Sequence, residues 1–242
     1  MKTAFITGSS RGIGKAIARR LSSDGFKIIL HGVKESSNIK ALKAEIEQQG
    51  GIAEIVTANL CDLCETAKLC EKLNSVDVLV LNASVQYRRP WQEITVNDCY
   101  DQLNCNFVSS MLLIQSTVNY MKSKNWGRII TIGSVQETKP HPDMLIYSAS
   151  KAAQTNMVHS LSLQLAKNGI TVNNVAPGVI YTDRNVEALS DPVYAKKVSD
   201  SIPVGFYGEP EDCAGIVSLL CSEDGRYITG QSIYVDGGKS IQ

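Results

Sequence analysis

The 242-residue chain predicts an α/β fold: one doubly wound parallel sheet with helices on both faces. Three observations carry that prediction. Short β-branched apolar runs alternate with longer stretches of helical period along the whole chain. Several runs are apolar almost throughout, as strands covered on both faces are. No repeat, low-complexity segment or Pro/Ser-rich linker breaks the alternation, so one domain over residues 1–242 is expected.

In chain order, Thr3–Thr7 is the first strand, and it runs through a glycine-rich turn into a helix over 12–24. Lys27–His31, built on Ile28-Ile29-Leu30, is the second strand, followed by a helix over 38–49. Ile52–Thr57 and a helix over 62–73 come next, then Val76–Leu81 and a long helix over 97–122. Arg128–Ile132 leads to a helix over 146–167, and Thr171–Val175 is the sixth strand. The span 182–209 holds Pro192 and Pro203 and has weak periodicity. Following the sixth strand, where ligands of such sheets bind, it reads as a lid. A helix over 210–222 and the strand Ser232–Val235 close the pattern.

Lys and Arg number 24 against 24 Asp and Glu, a formal net charge of zero. That balance excludes a generally basic nucleic-acid binder and an acidic disordered tail. No apolar run approaches the roughly 18 residues of a membrane span, and Lys2 is followed by a strand rather than a signal peptide. The expectation is a cytoplasmic protein that binds neither nucleic acid nor membrane. The seven cysteines (61, 64, 70, 99, 105, 213 and 221) form an odd, irregular set, which fits a reducing compartment. Cys61-Asp-Leu-Cys64 is a lone CxxC with no histidine near it in sequence. It reads as partly buried thiols at a helix start, with no metal site expected.

Chemistry first enters at Thr7-Gly8-Ser9-Ser10-Arg11-Gly12-Ile13-Gly14. Glycines let a backbone approach a pyrophosphate, while the following helix aims its first N–H groups at the anion. The spacing is G-x-x-x-G-x-G, not the generic G-x-G-x-x-G. Tyr147 and Lys151 stand four apart and share a helix face. A free tyrosine titrates near about 10, so a neighbouring ammonium would make it a better acid–base group at neutral pH. Ser134 ends the fifth strand 13 residues earlier and can donate a hydrogen bond to a carbonyl oxygen.

T-G-x-x-x-G-x-G, Asn82-Ala83, Ser134, Tyr147-x-x-x-Lys151 and Pro177-Gly178 occur in one order, together with Ile228-Thr229-Gly230-Gln231 and Asp236-Gly237-Gly238. In this register, over essentially its full length, the chain closely resembles the short-chain dehydrogenase/reductase family. The resemblance implies a seven-stranded Rossmann-like sheet, a nicotinamide cofactor and a homotetramer. It also implies a ketone–alcohol interconversion in which Ser134 steadies the oxyanion, Tyr147 moves the proton and Lys151 grips the nicotinamide ribose. Asn106 falls where the family holds a relay water, with Asn104 as a rival. Gly8, Ser10, Arg11, Gly12, Ile13 and Gly14 would hold the phosphates. Asn59 and Leu60 would meet the adenine, and Asn82, Ala83 and Ser84 the middle of the cofactor. Pro177, Gly178, Ile180 and Thr182 would line the nicotinamide.

Two positions depart from the family pattern: Asn59 stands where Asp is common, and Ser84 where Gly is. The NAD-selecting acid after the second strand is replaced by Gly32, with Arg11, Lys34 and His31 nearby. Cations there favour a 2′-phosphate, so NADP(H) is expected over NAD(H). The alternative leaves Arg11 and Lys34 as solvated charges with NAD(H) or dual use. On the substrate side lie Gln86, Tyr87, Arg88, Arg89 and Trp91, then Val135, Gln136 and Glu137, and Asp183, Arg184, Asn185, Phe206 and Tyr207 of the lid. The resemblance is strongest to the branch of 3-oxoacyl-[acyl-carrier-protein] reductases and sugar dehydrogenases, so the substrate is a small-molecule or acyl-carrier-bound carbonyl. Arg88 and Arg89 would meet an acidic carrier or simply solubilise the surface. A sugar or polyol dehydrogenase is the alternative within the family, and a catalytically silent NADP(H)-binding sensor or assembly subunit is the alternative outside catalysis.

Overall fold

A computed structural model describes residues 1–183 and 185–242; Arg184 and the side chains of Glu187 and Ala188 lie outside the described residues. Seven strands form one sheet: β1 (Thr3–Ile6), β2 (Lys27–Gly32), β3 (Ala53–Thr57), β4 (Val78–Leu81), β5 (Gly127–Ile132), β6 (Ile170–Pro177) and β7 (Ser232–Val235). Their order is β3-β2-β1-β4-β5-β6-β7, and every pairing is parallel. The winding direction reverses between β1 and β4, which opens a crevice at the carboxyl ends of those strands. No described helix is long and apolar enough to cross a membrane.

Strand side chains alternate between two cores. Ala4, Ile6, Val78, Val80, Ile130 and Ile132 pack on one face, with α1 (Gly12–Ser23), α2 (Ser37–Gln48) and later α9 (Pro210–Cys221) covering them. Phe5, Leu79, Leu81, Ile129 and Val172 face the other way, beneath α3 (Leu63–Cys70), α5 (Ser109–Lys124) and α6 (Leu145–Leu165). Burial on both faces is why these runs are apolar almost throughout.

The helix expected over 97–122 is broken. It forms α4 (Val96–Leu103), a π-helical turn over Asn104–Val108, and then α5. The fully buried Asn106 sits in that turn, its amide drawn to Val85 of the β4 loop. Wider turns of this kind recur at functional sites. A second difference lies in 182–209, where α7 (Val186–Leu189) and α8 (Pro192–Asp200) form. Asp191 caps α8 by accepting the Val193 N–H at 2.9 Å, with Pro192 in its first turn. The base of the excursion is closed by the Tyr181 N–H to Gly208 O (2.7 Å) and the Gly208 N–H to Val179 O (3.0 Å).

Candidate active site

The turn after β1 is built around a close backbone approach. Gly8 has φ +63°, and a Cβ on Gly14 would lie 2.5 Å from both Gly8 O and Asn82 Nδ2. Asn82 Nδ2 donates to Thr7 O (2.9 Å) and Gly8 O (3.1 Å), and Thr7 Oγ1 accepts the Asn82 and Ala83 N–H groups at 2.9 Å each. These bonds fasten the turn to the end of β4. Arg11, the N-cap of α1, offers its helix no side-chain acceptor. The first N–H groups of this 12-residue helix therefore keep their attraction for an anion.

His31 is buried in the same corner. Its Nδ1 accepts the Gly8 N–H at 3.1 Å, so Nε2 carries the proton that bonds Ala58 O at 3.1 Å. Desolvation by burial lowers its pKa to about 4. This corrects the sequence expectation of a cation here: His31 is neutral at physiological pH and joins β1, β2 and the end of β3 through hydrogen bonds.

A cavity of about 860 Å³ opens beside this turn, with room for a dinucleotide and a small substrate. At one end its wall includes Gly8, Ser10, Arg11, Gly12, Ile13, His31, Asn59 and Leu60; Asn82, Ala83 and Ser84 lie along it. At the other are Ser134, Tyr147, Lys151, Pro177, Gly178 and Ile180, while Thr182 reaches the glycine turn, its Cγ2 3.3 Å from where a Cβ on Gly12 would lie. Gly14, Lys34 and Asn106 are not on the wall. Gly14 acts one layer behind, through the close approach described above. Lys34 is exposed on the β2–α2 connection, and Gly32 and Val33 take the wall position expected for it. Among the described residues, Arg11 is thus the cation at this end, and Asp183 of the 182–209 excursion faces it at 3.9 Å.

Ser134 is 8% exposed, at the end of β5. Its Oγ accepts the Gln136 N–H at 3.2 Å, which leaves the hydroxyl proton to donate. A Cβ on the preceding Gly133 would lie 2.6 Å from the Asn174 side-chain amide, which Thr131 and Glu137 hold in place. Tyr147 and Lys151 are buried on one face of α6, with the ammonium 5.6 Å from the phenol ring centroid. Lys151 Nζ donates to Ile132 O (2.7 Å) and to Gln154 Oε1 (2.9 Å). Asn106 commits its side chain elsewhere. Its Oδ1 accepts the Val85 N–H at 2.8 Å, and its Nδ2 donates to Val85 O and Ser150 Oγ at 2.9 Å each. The side chain thus fastens the widened turn to the β4 loop and to α6, an arrangement compatible with a relay water held beside Lys151.

Of the residues expected on the substrate side, Gln86, Arg88, Val135, Gln136 and Asn185 reach the wall, and Asp183 reaches it beside Arg11. Tyr87 instead donates to Asp101 at 3.0 Å, and burial with that carboxylate pushes its pKa up to about 12. Arg89 pairs with Asp98 at 3.2 Å, Tyr207 stacks on Tyr181, and Trp91 and Phe206 point to solvent. Glu137 accepts from Thr155 (2.7 Å), Asn174 (2.8 Å) and Ser232 (2.5 Å), tying the Ser134 turn to α6, β6 and β7. Arg184 lies outside the described residues. The sequence reading missed Lys139, Lys197 and Lys239, which stand on the wall from three separate segments. Only the fold brings them together. Cys61 and Cys105 also reach the wall, and a hydrogen bond from Cys105 holds the Cys61 thiol below its usual pKa. Its thiol neighbour is thus Cys105.

Comparison with known proteins agrees with this geometry. Residues 8–240 match the family model described as enoyl-(acyl carrier protein) reductase, a short-chain dehydrogenase/reductase model. Glucose 1-dehydrogenase of Gluconobacter oxydans is 36% identical over 99% of this chain and 92% of its own. The crystal structure of a 3-oxoacyl (acyl-carrier-protein) reductase from Agrobacterium tumefaciens, with NADP bound, superposes with a TM-score of 0.93 at 35% identity, covering 98% of this chain and 93% of that one. A gluconate 5-dehydrogenase from Burkholderia cenocepacia, in complex with NADP and tartrate, gives a TM-score of 0.93 at 26% identity over 100% and 96% of the two chains. With the glycine turn, the serine–tyrosine–lysine wall and full-length similarity in one molecule, the chain belongs to the short-chain dehydrogenase/reductase family.

Proposed function

We propose that this protein is an NADP(H)-dependent oxidoreductase that interconverts a ketone and a secondary alcohol, most like a 3-oxoacyl-[acyl-carrier-protein] reductase. The observation that carries the reading is one cavity with a glycine-lined anion cradle at one end and Ser134, Tyr147 and Lys151 at the other. The cradle fits the cofactor, since a Cβ on Gly14 would collide with the turn and the start of α1 has no side-chain cap. Gly8, Gly12 and Ile13 would hold the pyrophosphate, Arg11 the 2′-phosphate, and Asn59 with Leu60 the adenine. When bound, the reduced nicotinamide supplies the hydride.

The chain supplies the rest. Ser134 donates its hydroxyl proton to the carbonyl oxygen, where negative charge develops. Tyr147 gives that oxygen its phenolic proton, and the Lys151 ammonium stabilises the phenolate left behind. Pro177, Gly178, Ile180 and Thr182 would bound the nicotinamide, with 182–209 as a lid.

A second substrate reading is favoured by the charge of the substrate end. Arg88, Lys139, Lys197 and Lys239 stand on that wall, and Asp183, the carboxylate among the described wall residues, faces Arg11. Cations suit a carboxylate-bearing sugar acid, in line with the gluconate 5-dehydrogenase neighbour. The test is a screen of β-ketoacyl thioesters, ketoses, keto acids and diketones, following absorbance of the reduced nicotinamide. NADPH consumption with one class assigns the substrate. NADPH binding without turnover on any class would favour a silent sensor or assembly subunit. A homotetramer in the cytoplasm completes the proposal, the apolar side chains exposed on α4, α5 and α6 being its candidate contacts.

A further inference from the structure

We propose that Gln154 is a positioning residue for the reaction: its amide holds the Lys151 ammonium as a fixed, aimed charge. This rests on the reading of Tyr147 and Lys151 given above. Gln154 is fully buried on α6, one turn past Lys151, and its Oε1 accepts from Nζ at 2.9 Å. Lys151 itself is 1% exposed, and a buried ammonium is costly unless oxygen atoms replace the water it has lost. Ile132 O takes one N–H and Gln154 Oε1 another, so two fixed oxygens on β5 and α6 set the direction of the head group.

Gln154 is itself held. Its Nε2 donates to Ser110 Oγ at 3.3 Å, and Ser110 Oγ donates to Asn106 O at 3.1 Å. Asn106 Nδ2 then meets Ser150 Oγ at 2.9 Å, and Ser150 Oγ donates to Tyr147 O at 2.7 Å. The chain of bonds runs from the lysine, through the π-helical turn, back to the backbone of the reacting tyrosine. It joins α6 to the one place where the α4–α5 helix is widened, which gives that turn a function. An amide accepts the ammonium's hydrogen bond but has no readily transferred proton at neutral pH. The side-chain path from Lys151 to Asn106 therefore holds the charge in place instead of conducting protons.

The test uses the full-length protein with Gln154→Met, which keeps length but removes the acceptor, and Gln154→Glu, which restores an acceptor and adds a charge. NADPH affinity is read by fluorescence titration, kcat and KM on the substrate found in the screen, and thermal midpoints alongside. Gln154→Met is expected to lower kcat about tenfold and weaken NADPH binding about fivefold, with ketone KM changed less than about twofold. Gln154→Glu is expected to recover NADPH affinity while kcat stays low, because its carboxylate offsets the ammonium's field at Tyr147. If both variants keep wild-type kcat and NADPH affinity and differ only in thermal midpoint, the residue is structural and the proposal falls. Should Gln154→Met not fold, Ser110→Ala cuts the other anchor: a drop of about threefold in kcat at constant KM supports the proposal, and an unchanged kcat overturns it. Absence of turnover by the wild type would sink the oxidoreductase reading instead, and the NADPH titration would still decide whether Gln154 steadies Lys151.

Discussion

His31 illustrates how a single residue changes meaning once its surroundings are known. In sequence it stands beside Arg11 and Lys34 and adds to a positive patch; in the fold it is 2% exposed and bonded through both ring nitrogens. Its pKa falls from 6.5 unfolded to about 4 folded, so between those values the unfolded chain binds the extra proton. The stability tied to this neutral ring is fully present above pH 6.5 and is lost as pH falls towards 4. Denaturant titration should find the protein about 2 kcal/mol less stable at pH 5 than at pH 7.5 through this group alone. His31→Gln should flatten that part of the profile, and an unchanged slope would show that the ring is not held neutral. Ser134, Tyr147 and Lys151 were legible because their spacing is local and their order fixed. Burial of His31 and the commitment of the Asn106 amide were not, since both depend on partners at least 21 residues away in sequence.

At the level of elements, the strands were readable to within a residue or two, and most plainly β1 and β4, whose burial on both faces leaves them almost wholly apolar. The long fourth helix was not. Its apolar pattern runs unbroken through residues that the fold turns into a π-helical step, and the cause is a bond to the β4 loop rather than any local breaker. Residues 182–209 were legible as an excursion but not as α7 and α8, although Asp191-Pro192 is a helix-start pair. The excursion also reaches the phosphate turn: Thr182 Cγ2 would lie 3.3 Å from a Cβ on Gly12, and Asp183 faces Arg11 at 3.9 Å. Both charges are well exposed, so the pair is weak. If Arg11 serves the 2′-phosphate, Asp183 competes with it. Asp183→Asn should then tighten NADPH binding about two- to fivefold at low salt and leave NADH binding unchanged. Equal effects on the two cofactors would separate Arg11 from the 2′-phosphate.

For the molecule as a whole, the winding reversal between β1 and β4 brings the glycine turn after β1 and the side chains of Ser134, Tyr147 and Lys151 to one cavity. Its outer surface leaves Val96, Tyr100, Leu145 and Leu163 exposed on α4 and α6, the candidate contacts of the proposed tetramer. Light scattering should give a mass near four times 26.3 kDa, and Leu163→Glu combined with Tyr100→Glu should reduce it. A wild-type mass of one subunit at micromolar concentration would contradict the assembly. The central claim is that Tyr147 moves the proton in a hydride-transfer reaction. Its most direct test compares wild type and Tyr147→Phe on the substrate that supports NADPH oxidation. The account predicts a fall in kcat of at least about a hundredfold with NADPH affinity nearly unchanged; near wild-type turnover by Tyr147→Phe would contradict it.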